Sequence, residues 1–138
     1  MISPLLFLLA AAQPAYSPAP DCIDIRGGRE VVLAGRLTLR AFPGPPNYKS
    51  VRRGDAAEHA YILELARDIC VDDGGEFTDP VERFHHVQLY SMRRPVRARL
   101  SAGRGHRVRV RGEGFGAHTA HHHASLVVDV HAVRIEGR

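Results

Sequence analysis

The chain has no tryptophan, only two cysteines and two methionines in 138 residues, and one lysine, Lys49, beside eighteen arginines. So few large aromatics disfavour a single-strand nucleic-acid binder, which stacks successive bases on such rings. Neither Cys22 nor Cys70 sits in a C-x-x-C pair, and the histidine-rich tract lies far along the chain, so a Cys2His2 zinc site is not expected. No G-x-S-x-G element is present, which removes the nucleophile-elbow hydrolases. No internal repeat or coiled-coil heptad appears, and no apolar run approaches the roughly 20 residues of a membrane-spanning helix.

Residues 1–20 contain no Asp, Glu, Lys or Arg, and Pro4-Leu5-Leu6-Phe7-Leu8-Leu9-Ala10-Ala11-Ala12 is a short apolar run at the N-terminus. This is the layout of a secretory signal peptide spanning residues 1–12, with cleavage up to about residue 20 also compatible. The mature protein is expected to be soluble and periplasmic or secreted, with no transmembrane segment. Export places Cys22 and Cys70 in an oxidising compartment, where two cysteines are expected to form a disulfide. The net charge of +4 is untouched by removal of the leader. The length that remains suits one domain, with residues 13–29 as an extended N-terminal segment and 30–135 as the folded unit.

Hydrophobic alternation marks five strands. Val31 to Arg40 sets Leu33, Gly35, Leu37 and Leu39 against Ala34, Arg36, Thr38 and Arg40, and the central Gly35 predicts a bulge or tight bend. Asp55 to Ala60 reads as a polar helical turn, Tyr61 to Leu65 as strand two leading to Val71, and Asp72 to Glu76 as a solvated acidic turn. Arg83 to Tyr90 is strand three, Pro95 to Ala102 a short helix, Gly105 to Gly112 strand four, and Ser125 to Ile135 strand five. The dense apolar content of strand five predicts burial on both faces or a bulge. The order predicts an all-β, five-stranded Greek-key barrel of OB type with at most one short helix, an open sandwich being the main alternative.

The tract His118-Thr119-Ala120-His121-His122-His123 joins strands four and five. Imidazole is the commonest protein metal ligand, so His118, His121, His122 and His123 form a candidate Zn²⁺ or Cu²⁺ site. In an extended segment His121 and His123 share one face while His122 points away. Further ligands could come from His85, His86, His131, Asp129 or Glu113. The competing reading is that these imidazoles hydrogen-bond backbone and one another to order a long loop. Phe42-Pro43-Gly44-Pro45-Pro46-Asn47-Tyr48 is an ordered loop that either presents Phe42, Asn47 and Tyr48 for binding or plugs the open end of the barrel, the plug being the expectation adopted.

Together with Gly35-Arg36-Leu37, Gly54-Asp55 with Glu58, Ile62-Leu63-Glu64-Leu65, Ile69-Cys70-Val71 and Val87-Gln88-Leu89, these motifs resemble an exported bacterial family known as domain of unknown function 4431. The resemblance runs from about Cys22 to Ile135 and implies a small OB-like barrel and export, with no established activity. Ala120 stands where the family pattern has Gly, and Ala124-Ser125 where it has Thr-Pro.

Arg93 through Arg111 is uninterrupted by any acidic residue, and Arg107, Arg109 and Arg111 alternate with valine. The basic strand face reads first as an ordinary solvated face; as a binding face, its exported setting would make the partner an acidic envelope protein or anionic glycan rather than nucleic acid. The first expectation for function is a non-enzymatic envelope binding or interaction module. The alternatives are a periplasmic metal-binding protein using the His118–His123 loop, and a small zinc-dependent hydrolase with Glu113 as its nominated base. Ser125 lies near His123 in sequence, but that proximity alone does not make a nucleophile and base, and no catalytic residue is assigned.

Overall fold

The computed structural model describes Ala12 and residues 21–137. The signal peptide expected at residues 1–12 lies outside the described residues apart from Ala12, as does the stretch up to residue 20. In chain order the strands are β1 Ile23–Asp24, β2 Glu30–Pro43, β3 Ala57–Ile69, β4 Val71–Asp72, β5 Phe84–Tyr90, β6 Arg107–Gly116 and β7 Leu126–Gly137, with helix α1 Arg94–Gly103 between β5 and β6. Five of them close a barrel in the order β2-β3-β5-β7-β6 and back to β2. All its pairings are antiparallel except β5 with β7, which is parallel. This is the five-stranded OB-like barrel that the order of elements predicts, with one parallel pairing among the antiparallel ones.

Strand β2 serves two neighbours. Glu30 to Arg36 pair with β6 and Arg36 to Pro43 with β3, so Arg36 lies opposite both Arg107 and Glu64. The corner falls at Gly35, where an added Cβ would lie 2.2 Å from the Glu64 carbonyl oxygen. The sequence predicts a bulge or bend there. The structure has a close backbone approach with the register intact. Gly112 plays the same part against the Asp129 carbonyl, at 2.1 Å. Beside it the β6–β7 register shifts, Arg111 pairing with Ala132 and Gly112 with Val130, which is the bulge expected of strand five.

Inward residues such as Val31, Leu37, Leu63, Leu89, Val108 and Val128 form the core. Ile25, from the N-terminal segment, and Leu100, from α1, join them and are buried. Gly114 on β6 lies against Ile25, whereas Gly103 of α1 lies against Val108 and Ile135, so the two residues close opposite ends. The plug expected of Phe42 and Tyr48 is therefore supplied by other residues. Pro95 sits in the first turn of α1, where a missing N–H leaves no hydrogen bond unmade.

A second correction concerns the polar stretch before strand two. The helical turn lies at Val51–Arg53, and β3 already begins at Ala57, inside the segment read as a turn. The acidic turn expected at Asp72 to Glu76 begins at Asp73, because Asp72 is buried and pairs in β4; the turn is ordered by Asp73, whose carboxylate accepts from the amides of Gly75, Glu76, Phe77 and Thr78.

Cys22 and Cys70 form the expected disulfide, and β1 pairs with β4 beside it. The Ile23 amide donates to the Cys70 carbonyl at 2.9 Å and the Ile25 amide to that of Asp72 at 3.0 Å, which delivers Ile25 to the core. Among the described residues no helix is long and apolar enough to cross a membrane.

Closing a loop between cysteines 48 residues apart contributes about 4 kcal/mol in the chain-entropy account. Reduction, or Cys22→Ser with Cys70→Ser, is expected to lower the urea-unfolding free energy by about that amount. Gly35→Ala is expected to cost about 2 kcal/mol or more, because a strand carbonyl cannot retreat from the new methyl without breaking the ladder. A midpoint unchanged from wild type would show that the corner relaxes freely.

Candidate functional site

Two connections carry the candidate residues, residues 44–56 between β2 and β3 and residues 117–125 between β6 and β7. In OB barrels the corresponding loops, with the face of the second and third strands, form the usual ligand-binding region. Here the two loops meet.

The first loop is organised by Asp55, a buried carboxylate. It accepts from the amides of Asn47 at 2.9 Å, Lys49 at 2.8 Å and Ser50 at 2.9 Å, and from the Asn47 side chain at 3.1 Å. Backbone hydrogen bonds from Ser50 and Lys49 hold its pKa below the ordinary aspartate value. Asn47, a predicted binding residue, thus spends its side chain on the loop's own anchor. Tyr48 is held at a φ of 56°, in the left-handed region that few non-glycine residues adopt, and its amide donates to the Gly44 carbonyl. That backbone brings its hydroxyl to 3.5 Å from His121 Nε2.

The second loop crosses the outer face of the sheet. Ile62, Gln88 and Val127 stand in register on adjacent strands, each between core-facing neighbours, and all three are buried although they point away from the core. Gln88 ties the loop down, donating to the His121 carbonyl at 3.0 Å and accepting from the His123 amide.

Glu58, at the start of β3, joins the loops. Its carboxylate lies 2.9 Å from His123 Nε2 and 2.9 Å from His121 Nδ1, so each ring donates an N–H to it. His123 is 10% exposed and stacks on Phe42, ring centroids 4.3 Å apart and planes 2° from parallel, whereas His121 is 62% exposed. Partial burial alone would raise the Glu58 carboxyl. Hydrogen bonds from His123 and His121, with the charge of those rings, outweigh it and hold Glu58 below the usual glutamate value.

His118 and His122 belong to a different cluster. His122 Nδ1 accepts from the amides of His118 at 2.9 Å and Thr119 at 3.2 Å, and His118 Nδ1 donates to the Gly116 carbonyl at 2.8 Å. Their rings pack edge to face on each other at 4.7 Å, with Phe77 stacked on His118 and Phe115 tilted against both. Burial first, then the neighbouring imidazoles of His118, His121 and His123, push the His122 pKa down. The four histidines predicted as one ligand set therefore form two pairs with different surroundings. Among the described residues no three or more His, Cys, Asp or Glu are grouped as a metal ion requires.

The extra ligands considered from sequence lie elsewhere. His85 pairs with Asp68, His86 faces Glu64, and His131 is 4.0 Å from Asp129. Glu113, on β6, lies against Gly28 and stands in register between Glu30 of β2 and Asp129 of β7. The carboxylate at the histidines is Glu58, which the sequence marked only through the family pattern. Its signal was its place on a strand, hidden because residues 55–60 read as a turn. Ser125 donates to Glu82 at 2.6 Å and not to His123. Arg107, Arg109 and Arg111 stand on another face, outward on β6.

Residues 86–136 match a family described as domain of unknown function (DUF4431). The match takes in most of β5, then α1, β6, the histidine loop and most of β7, while Phe42, Tyr48 and Glu58 precede it. Comparison with curated proteins and with solved structures returns no match.

Glu58 has its folded pKa below the ordinary 4.5, so it contributes stability that is present above that pH and lost as pH falls through the folded value. Urea unfolding followed from pH 7 into acid is expected to show a loss of about 1 kcal/mol that Glu58→Gln abolishes. An unchanged acid slope in that variant counts against the clamp. His122, lowered from 6.5, likewise contributes stability that is lost as pH falls below that value, since protonation removes the Nδ1 acceptor. Hydrogen exchange at the His118 and Thr119 amides, corrected for intrinsic rate, is expected to accelerate on acidification below pH 6.5, and to be pH-independent in His122→Ala.

Proposed function

We propose that this carrier of domain of unknown function 4431 is an exported, non-enzymatic binding module of the bacterial envelope whose contact surface is the junction of the two loops. The observation that carries this reading is the Glu58 clamp, which fixes Phe42, Tyr48, His121 and His123 from separate parts of the chain into one surface at the region where OB barrels take ligands. His121 is its most exposed ring, with Tyr48 edge-on to it at 5.5 Å. His123 and Glu58 serve as the support that keeps this surface in one conformation, which lowers the ordering cost of binding. The disulfide supports the exported setting, because such bonds persist in oxidising compartments. The partner is an envelope protein or an anionic glycan.

A metal-binding role is the second reading, favoured by one observation: a carboxylate with two imidazole nitrogens within hydrogen-bond reach. Zn²⁺ or Cu²⁺ would have to displace the ring protons now shared with Glu58, leaving His118 and His122 in their aromatic cluster. Zn²⁺ and Cu²⁺ calorimetry on untagged protein, with His121→Ala and His123→Ala as controls, is expected to show only weak binding under the first reading. One tightly held ion per chain, lost in both variants, would establish the second.

The binding surface is tested by placing a photo-crosslinking residue at Lys49, exposed beside Tyr48, and at the exposed Val81 as control. Crosslinking in the bacterial envelope is expected to give a discrete adduct, protein or glycan, from position 49 alone, abolished by His121→Ala. Equal yields from the two positions would overturn the assignment.

A further inference from the structure

The outer face of β2, β6 and β7 carries a basic grid away from the loop junction. On β6 the outward residues are Arg107, Arg109 and Arg111, each separated by a buried residue. Register sets Arg36, Ala34 and Val32 of β2 beside them on one side, and Arg134 and Ala132 of β7 beside Arg109 and Arg111 on the other. Val32, Arg109, Arg111, Ala132 and Arg134 line a groove of about 370 Å³. Its floor is aliphatic, since Val32 is 52% exposed, and its walls are guanidinium groups.

The chemistry these arginines bind is already displayed. Glu136 accepts from Arg109 Nε at 2.8 Å and from Arg134 at 3.1 Å, and lies 3.5 Å from Arg107, while Glu30 lies 3.7 Å from Arg111. Arg109 and Arg134 hold the Glu136 carboxyl below the usual glutamate value. Four arginines, Arg107, Arg109, Arg111 and Arg134, share these two carboxylates, so this part of the face keeps an excess of positive charge. The side chains of Arg107, Arg109, Arg111 and Arg134 are 48% to 73% exposed, and a guanidinium carries five N–H donors, more than these contacts use. Beyond Arg111 the β6 row ends at Glu113, paired with Glu30, which limits the basic stretch to three strand positions.

We propose that this face docks an extended acidic polypeptide segment bearing carboxylates on alternate residues. Alternate side chains on β6 are about 7 Å apart, and alternate side chains of any extended peptide have the same repeat. A strand-like ligand laid along β6 therefore presents successive carboxylates to Arg107, Arg109 and Arg111 in step, each suited to a guanidinium fork. The aliphatic floor contains no aromatic ring on which a base or sugar would stack, which favours a peptide over a nucleic acid or glycan. This docking is independent of the loop junction and stands whether or not that surface binds a partner.

The test uses the intact, oxidised protein and a fluorescent peptide of alternating Glu and Thr, about twelve residues long. Its controls are a peptide of the same composition with all glutamates in one block, polygalacturonate, and single-stranded DNA of matched charge. The alternating peptide is expected to bind best, to weaken with added salt, and to lose about tenfold in affinity in Arg109→Gln/Arg111→Gln. Arg109→Lys/Arg111→Lys keeps the charge and removes the fork, and is expected to recover only part of the loss. A circular-dichroism melt verifies that both variants are folded, and His121→Ala is expected to bind the peptide as wild type does. Absence of binding, equal binding of the blocked peptide, polygalacturonate or DNA, or full recovery by the lysine variant would overturn the proposal.

Discussion

Closure of the barrel rests on one strand having two partners. β2 pairs with β6 along its first half and β3 along its second, and the change occurs where residue 35 has no side chain to hold the β3 backbone away. A Cβ at this corner would force apart the strands that give Glu58 and the β6 arginines their positions. Gly112 permits the equivalent approach of β7, and the shift in register beside it adds the curvature a five-stranded barrel needs. Two missing methyl groups thus set the frame on which both candidate surfaces are built.

On that frame the loops are held by polar groups that satisfy one another. Asp55 gathers four donors of the first loop, Gln88 grips the second through both ends of its amide, and Glu58 spans the two. Among the described residues no buried side-chain nitrogen or oxygen lacks a partner. The loops carry little regular structure, yet their conformation is fixed by carboxylates and an amide that the strands position. The histidine tract consequently does two jobs, with His118 and His122 ordering the turn and His121 and His123 joining it to β3.

Much of this architecture was legible because it is encoded locally. The alternation in Val31 to Arg40 and in His106 to Gly112 marks inward and outward faces without reference to partners, and two cysteines in one chain leave a single intramolecular pairing. What escaped depends on distant partners. Residues 55–60 read as a turn because the segment is polar and lacks apolar alternation, and only the tertiary fold reveals that Glu58 and Ala60 are covered while His59 between them is exposed. Gln88 between Val87 and Leu89 was indistinguishable from any solvent-facing strand residue. The division of the histidines follows from Phe77 and Phe115 on one side and Phe42 and Glu58 on the other, none adjacent to the tract in sequence. Phe42 reads as a plug because a loop rich in proline and aromatic residues suits either role, whereas Ile25, fixed by the ladder beside the disulfide, has no sequence feature that sets it apart.

A closed barrel also restricts the language in which this protein can be addressed. Its five strands pair in a ring that leaves none of them an edge strand, so a visiting strand finds backbone to pair with only where β3 and β7 overhang their neighbours. Recognition on the barrel wall must be spelled out in side chains, one residue at a time. Specificity on that surface can therefore drift between relatives through single outward substitutions while the barrel beneath stays the same.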